Sequence, residues 1–215
     1  MPVRRIPKNY RNVTGIAAHR KSEGQAMYES TLGRDFLSLL AFDPRVTSFE
    51  VQPVQIHWLD AQGKPHRYTP DVLVSYTEPQ KSVLYEVKYR SELREHWPVL
   101  RPKFRAAHHF ARSRDWRFKL ITEIEIKTPY LENVKFLLPI MRQSIPELDI
   151  QKQMLAHLHA VQTSTPALLI NSLSENKWEQ AGLLSVLWYL LGVGQVGCNL
   201  QSKITMDSPI WSIQS

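Results

Sequence analysis

Apolar and polar positions change places most sharply in residues 68–90, YTPDVLVSYTEPQKSVLYEVKYR. β-Branched and aromatic residues dominate two short runs, 72–76 and 82–89, and the turn-forming residues 77–81 part them, so the pattern predicts two strands joined in a hairpin. Asp71 stands at the mouth of the first strand, and Glu86 and Lys88 lie inside the second. Side chains of a strand alternate between faces, so Glu86 and Lys88 point the same way while Val87 points into the core.

The pattern upstream predicts a helix beginning at Ser22, with Gln25 completing a capping box. Tyr28, Leu32, Phe36, Leu39 and Leu40 form its apolar stripe, and Asp43-Pro44 ends it. Residues 46–59 read as strand interrupted at Pro53, residues 60–65 as a turn, and residues 66–68 as the lead into the Asp71 strand. Together these give a three-stranded antiparallel meander. Helical spacing returns over 101–115, with Phe104, Ala107 and Ala111 on one side, and residues 118–126 read as a further strand.

Beyond Pro129 and Pro139 the chain changes character. Residues 147–162 predict an amphipathic helix, Thr165-Pro166 opens a short one, and 176–191 form a very apolar one broken by Gly192, Gly194 and Gly197. Two strands follow, 195–203 and 204–213. Three helices and a terminal hairpin suggest a winged-helix-like module. The expected organisation is a basic arm over 1–21, a catalytic domain over 22–145 and a partner-binding domain over 146–215.

Charge sharpens this division. The net charge is +7, which favours a polyanionic partner. Residues 1–21 carry six Lys or Arg, Arg4 and Arg5 among them, and no acid; residues 88–119 carry ten against three acids. Residues 151–215 balance three lysines with three acids, so protein docking suits this segment better than phosphate contact. Trp178, Trp188 and Trp211 would either anchor such a surface or pack the core. On the second helix Arg101, Arg105, His109 and Arg112 line a side adjacent to the apolar one, a stripe suited to DNA backbone or simply to solvent. The single cysteine, Cys198, excludes an internal disulfide and a cysteine-rich zinc site and fits a reducing, cytoplasmic setting. Residues 1–21 lack the apolar core of a signal peptide, and the apolar run 181–194 is too short to span a bilayer, so no membrane role is expected.

A Glu-x-Lys within an apolar strand is costly unless the charges face solvent, pair or hold a metal. Fourteen residues separate Asp71 from Glu86, the spacing with which a hairpin brings the two acids side by side. Two carboxylates and a lysine there suit a metal-dependent nuclease: hard oxygen ligands for Mg²⁺, and an amine to place water or offset phosphate charge. The alternative is an amphipathic strand with an exposed Glu/Lys pair. Glu29, at the border of the first helix's stripe, either reaches the sheet edge or is a surface glutamate. Glu123 is a candidate further acid. His57 and His66 fit no ligand motif and read as ordinary strand and turn histidines.

The order helix, meander, helix, strand matches the core of the restriction-endonuclease-like α/β fold. With the segments YESTLGRDFL, YTPDVLV, YEVKYR and PKFRAAHHFARSRDWRFKLITE, the sequence resembles TnsA, the endonuclease subunit of heteromeric bacterial transposases, over about residues 1–140. The resemblance implies that Glu29, Asp71 and Lys88 are catalytic. It places Glu86 where some members have glutamine, and Glu123 at an acid beside the site. It implies Mg²⁺, with Mn²⁺ as a substitute, and hydrolysis of the 5′ strands at transposon ends in double-stranded DNA. The implied partners are a TnsB-like transposase for the 3′ ends and a TnsC-like ATPase on the C-terminal domain; in CRISPR-associated relatives an RNA-guided complex chooses the target. A stand-alone restriction or junction-resolving nuclease would use the same chemistry, and a DNA-binding adaptor would use none of it.

Overall fold

The computed structural model describes residues 21–23, 30–60, 62–143 and 145–213 in full, and residues 15–17 and 26–28 by their backbone. Arg4, Arg5 and Glu29 lie outside the described residues. The chain divides into two compact units, residues 1–127 and 128–215, so the division falls at Lys127 and not at the expected 145/146.

In the first unit, β1 (Gly15–Ala17) and β2 (Ala26–Tyr28) pair antiparallel. Helix α1 (Thr31–Phe42) follows, and it begins later than the expected Ser22. Its cap is Ser30, whose hydroxyl accepts from Gly33 N–H at 3.0 Å, whereas Ser22 forms a bridge with Phe49. Of the expected stripe, Leu32, Phe36 and Leu40 are buried with Leu37, whereas Leu39 is only half-buried and Tyr28 ends β2, ahead of the helix.

The expected strand over 46–59 is two strands in two sheets: β3 (Val46–Val51) and β4 (Ile56–Leu59). Between them Gln52 takes a left-handed φ of 51° and Pro53 follows, which turns the chain out of the first sheet. Strand β4 pairs only with β5 (Pro65–Tyr68), so this hairpin is inserted between β3 and the next strand of the main sheet. That sheet has the order β3, β6 (Val72–Tyr76), β7 (Val83–Val87), β8 (Arg117–Ile121), with β7 and β8 parallel and the other pairs antiparallel.

A parallel pair needs a crossover, and α2 (Arg90–Arg112) supplies it. It starts eleven residues before the expected Arg101 and holds Pro98 as well as Pro102. Phe104, Ala107 and Ala111 are buried; Ala107 and Ala111 pack with Leu84 of β7, Ile56 and Tyr68. The opposite face of the sheet receives α1, where the Phe36 and Tyr85 rings meet edge-on at 5.0 Å. Helices thus cover both faces of β7, and all five of its residues are buried.

The expected strand over 118–126 stops at Ile121. Thr122 then caps the one-turn helix α3 (Glu123–Ile126): its hydroxyl accepts from Ile124 N–H, while the Glu125 carboxylate accepts from Thr122 N–H at 2.9 Å. The capping box removes Glu123 from strand geometry.

The second unit holds α4 (Pro129–Met141), α5 (Leu148–Val161), β9 (Thr163–Ser164), α6 (Pro166–Leu173), α7 (Lys177–Gly192), β10 (Val196–Cys198) and β11 (Ile210–Ser212). No helix is expected at α4 from the sequence, yet Pro129 falls in its first turn, where a missing N–H costs nothing. The two terminal strands are shorter than expected and form the sheet β10-β11-β9 with a third. Gly197 faces the Trp211 indole so closely that no Cβ would fit. Asn133, 3 % exposed, fastens α4 to the segment before β11: its amide donates to the Leu200 and Ser202 carbonyls at 2.8 Å, and its oxygen accepts from Ile204 N–H at 3.0 Å. Among the described residues no helix is long and apolar enough to cross a membrane.

Candidate active site

The hairpin register builds the site. Val72 pairs with Tyr85 and Leu73 with Leu84, so one step beyond β6 sets Asp71 opposite Glu86. Directly opposed residues share a face, with Cβ atoms roughly 5 Å apart. The Asp71 backbone N–H donates to the Tyr85 carbonyl at 3.1 Å, and the Asp71 carboxylate accepts from Val87 N–H at 2.7 Å. Lys88 leaves the end of β7 with its N–H on the Ile121 carbonyl at 3.1 Å. Its Nζ lies 3.7 Å from Glu86 Oε1 and 3.6 Å from Glu92 Oε1. The two acids and the lysine therefore converge.

Glu86 does not lie on a wet face. It is 2 % exposed, and both carboxylate oxygens are engaged: Oε2 accepts from the Tyr68 hydroxyl at 2.6 Å, and Oε1 lies 3.2 Å from Lys103 Nζ. The same ammonium sits 4.8 Å from the centre of the Tyr68 ring and 5.1 Å from that of Phe104. A buried carboxylate needs such partners.

Crowding of the two acids perturbs their neighbours. Burial, and next the charge of Glu86, push the Asp71 carboxyl up to about 8, against the opposing pull of Lys88, the Val87 N–H and Lys103. Burial lowers the Lys88 ammonium, yet the charges of Asp71, Glu86 and Glu92 outweigh it and hold its pKa above the ordinary lysine value. The Tyr68 phenol is driven far upward by burial and by Glu86, so it remains a donor.

Of the other expected site residues, Glu123 is turned elsewhere. Its carboxylate accepts from Arg90 N–H at 2.9 Å, which caps the start of α2. Arg101, Arg105 and Arg112 are exposed on α2. His66 pairs with Asp60 at 2.7 Å.

Lys103, Tyr68 and Glu92 are the contributors that sequence reasoning missed. Lys103 follows the basic Arg101 on a helix after the Glu-x-Lys strand, but only the packing of α2 on the sheet shows that its ammonium reaches Glu86.

Residues 43–123 match the family model for the TnsA-like endonuclease N-terminal domain. The chain carries a TnsA-like endonuclease domain. Comparison with curated proteins gave no match. The TnsA-like segment runs from the end of α1 to the start of α3, so it takes in Asp71, Glu86, Lys88 and Lys103 while Glu29 precedes it.

Among the described residues no group of three or more His, Cys, Asp or Glu forms a metal cage. Mg²⁺ needs none: it keeps much of its water and binds through one or two carboxylates plus substrate phosphate. A carboxyl raised first by burial and next by a facing carboxylate is a situation that a divalent cation relieves. The two opposed carboxylates, Asp71 and Glu86, are a donor set that would fit the metal.

Proposed function

We propose that the chain is the Mg²⁺-dependent endonuclease subunit of a cut-and-paste transposase, hydrolysing the 5′ strands at transposon ends. The observation that carries this reading is the opposition of Asp71 and Glu86 beside Lys88 within the TnsA-like segment. Asp71 and Glu86 hold the cation, to which Glu29 would add a third carboxylate. Bound Mg²⁺ would acidify water and stabilise charge on the phosphate. Lys88 orients the attacking water and offsets phosphate charge. Tyr68 and Lys103 fix the Glu86 carboxylate. The exposed Arg101, Arg105 and Arg112, with Arg4 and Arg5 of the basic arm, hold duplex backbone without reading its sequence.

The second unit is read as a winged-helix-like docking module for a TnsC-like ATPase. Its near-neutral charge and a largely apolar groove of about 650 Å³ between α4, α5 and α7, lined by Ile150, Met154, Leu183 and Val186 among others, support protein contact. A TnsB-like partner would cut and join the 3′ ends.

The test is strand-specific cleavage of a transposon-end duplex by the transposase reconstituted with its TnsB-like partner, with Asp71→Ala in place of the parent chain. A loss of 5′-strand cleavage of about 10²–10³-fold, with unchanged circular dichroism, is expected. Retained cleavage would sink the assignment and leave the adaptor reading.

A further inference from the structure

Arg90, Arg94, Trp97 and Arg101 recur at intervals of four, three and four residues and so run along one side of α2. Beside the first three, a groove of about 620 Å³ opens toward α3, lined by Arg90, Leu93, Arg94, Trp97, Thr122 and Glu125. Thr122 follows Ile121, whose carbonyl holds the Lys88 N–H, so the groove lies one strand over from the candidate catalytic lysine.

Its chemistry is that of a cation pair around an indole. Trp97 is 43 % exposed yet not loose, because its ring packs against Phe104 at 6.1 Å between centroids, and Phe104 packs in turn on Tyr68 at 6.5 Å and Phe118 at 6.0 Å. The exposed Arg94 guanidinium has no hydrogen-bond or ion-pair partner among the described residues. Glu125, the groove's one acid, is turned to Thr122, where its carboxylate accepts from the hydroxyl at 2.6 Å and from N–H at 2.9 Å. Those bonds, first that from the hydroxyl, hold its carboxyl below the usual range, with a smaller contribution from Arg90. The remaining surface offers two guanidinium groups and the face of a fixed aromatic ring.

A duplex offers phosphates to such a groove but keeps its base faces stacked inside. An exposed indole between cations is matched by a strand whose bases are free to stack. We propose that this groove binds one unpaired DNA strand, its phosphates on Arg90 and Arg94 and a base on Trp97. Its placement next to the bond to be cut rests on the nuclease reading above; the binding itself does not. The groove then takes the strand as it leaves the duplex, while Arg101, Arg105 and Arg112 hold the paired DNA.

The test measures binding of fluorescein-labelled oligothymidylate and of a blunt duplex to the full chain by anisotropy, without divalent metal. Trp97→Ala should weaken oligothymidylate binding about 10-fold and leave duplex affinity within about 2-fold, and Trp97→Phe should restore most of the loss. Arg94→Ala should lower the salt dependence of oligothymidylate binding by about 0.7 in log–log slope. Equal oligothymidylate affinity of Trp97→Ala and the parent chain overturns the proposal, as does a loss that the duplex shares equally. The groove thus stands or falls on binding, and the nuclease reading on cleavage by Asp71→Ala.

Discussion

The most buried polar side chain of each unit, Glu86 in the first and Asn133 in the second, is held in a different way. In the second unit Asn133 and Gln151 are neutral and bond to main chain: Asn133 holds the carbonyls of Leu200 and Ser202 and the N–H of Ile204, and the Gln151 amide holds the Pro146 carbonyl at 2.6 Å. In the first unit the most buried acid, Glu86, has only side-chain partners, a phenol and two lysine ammonium groups. Main-chain partners cannot leave without unfolding the chain. Side-chain partners can rotate away and return, which suits the proposed entry of a cation and a phosphate. Glu86 thus differs from Asn133 and Gln151, and also from Asp71 beside it, whose carboxylate does take a main-chain partner, the Val87 N–H.

That contrast breaks most readily at Asn133. Asn133→Ala leaves three backbone groups without their partner, and the expected cost is about 2–4 kcal/mol in urea unfolding, with Mn²⁺ binding at the first unit unaltered. A loss below about 0.5 kcal/mol would show that Asn133 is not the fastening it resembles.

Lys103→Met should do the reverse. The fold is retained by circular dichroism, while Mn²⁺ affinity by calorimetry falls about 10–100-fold because Glu86 is no longer held, and Lys103→Arg recovers part of it. Unchanged affinity would reduce Lys103 to a packing residue.

A third break is a pH slope. With the Asp71 carboxyl raised to about 8 from 3.8, the folded chain without metal keeps a proton that the unfolded chain has released between those values. Its contribution to stability is complete below about pH 4 and lost as pH rises through about 8. Asp71→Asn should flatten that part of the stability profile, and Mn²⁺ should raise the parent's melting temperature more at pH 8 than at pH 5. A profile that Asp71→Asn leaves unaltered would contradict the crowding of the two acids.

What was legible in the sequence follows from the same physics. The β6–β7 hairpin is encoded by alternation and a turn over neighbouring residues, so the opposition of Asp71 and Glu86 could be read from spacing. The α6 and α7 starts were legible from Thr165-Pro166 and Asn176, because caps are local chemistry. The Thr122-x-x-Glu125 capping box was equally local, but the alternation of FKLITEIEI ran through it and masked the end of β8. The start of α2 was not legible, since residues 94–99 are all exposed and no apolar stripe marks this part of the helix, which also holds Pro98. Nor was the departure of β4 and β5 from the main sheet, which turns on one left-handed glutamine at position 52. Lys103 depends on the rotation of α2 about its own axis, which no interval within the helix specifies.

The pairing of Leu73 with Leu84 makes the chain unevenly tolerant of changes in length. Added residues within the exposed turn 77–81 lengthen a loop at small entropic cost and leave the strands in phase. One residue deleted inside β7 would shift the strand by a single step and exchange its faces, carrying the Glu86 carboxylate to the α1 side and a valine to the place opposite Asp71. The chemistry of this chain is thus written in a counting frame, and that frame is held by two leucines that take no part in the reaction.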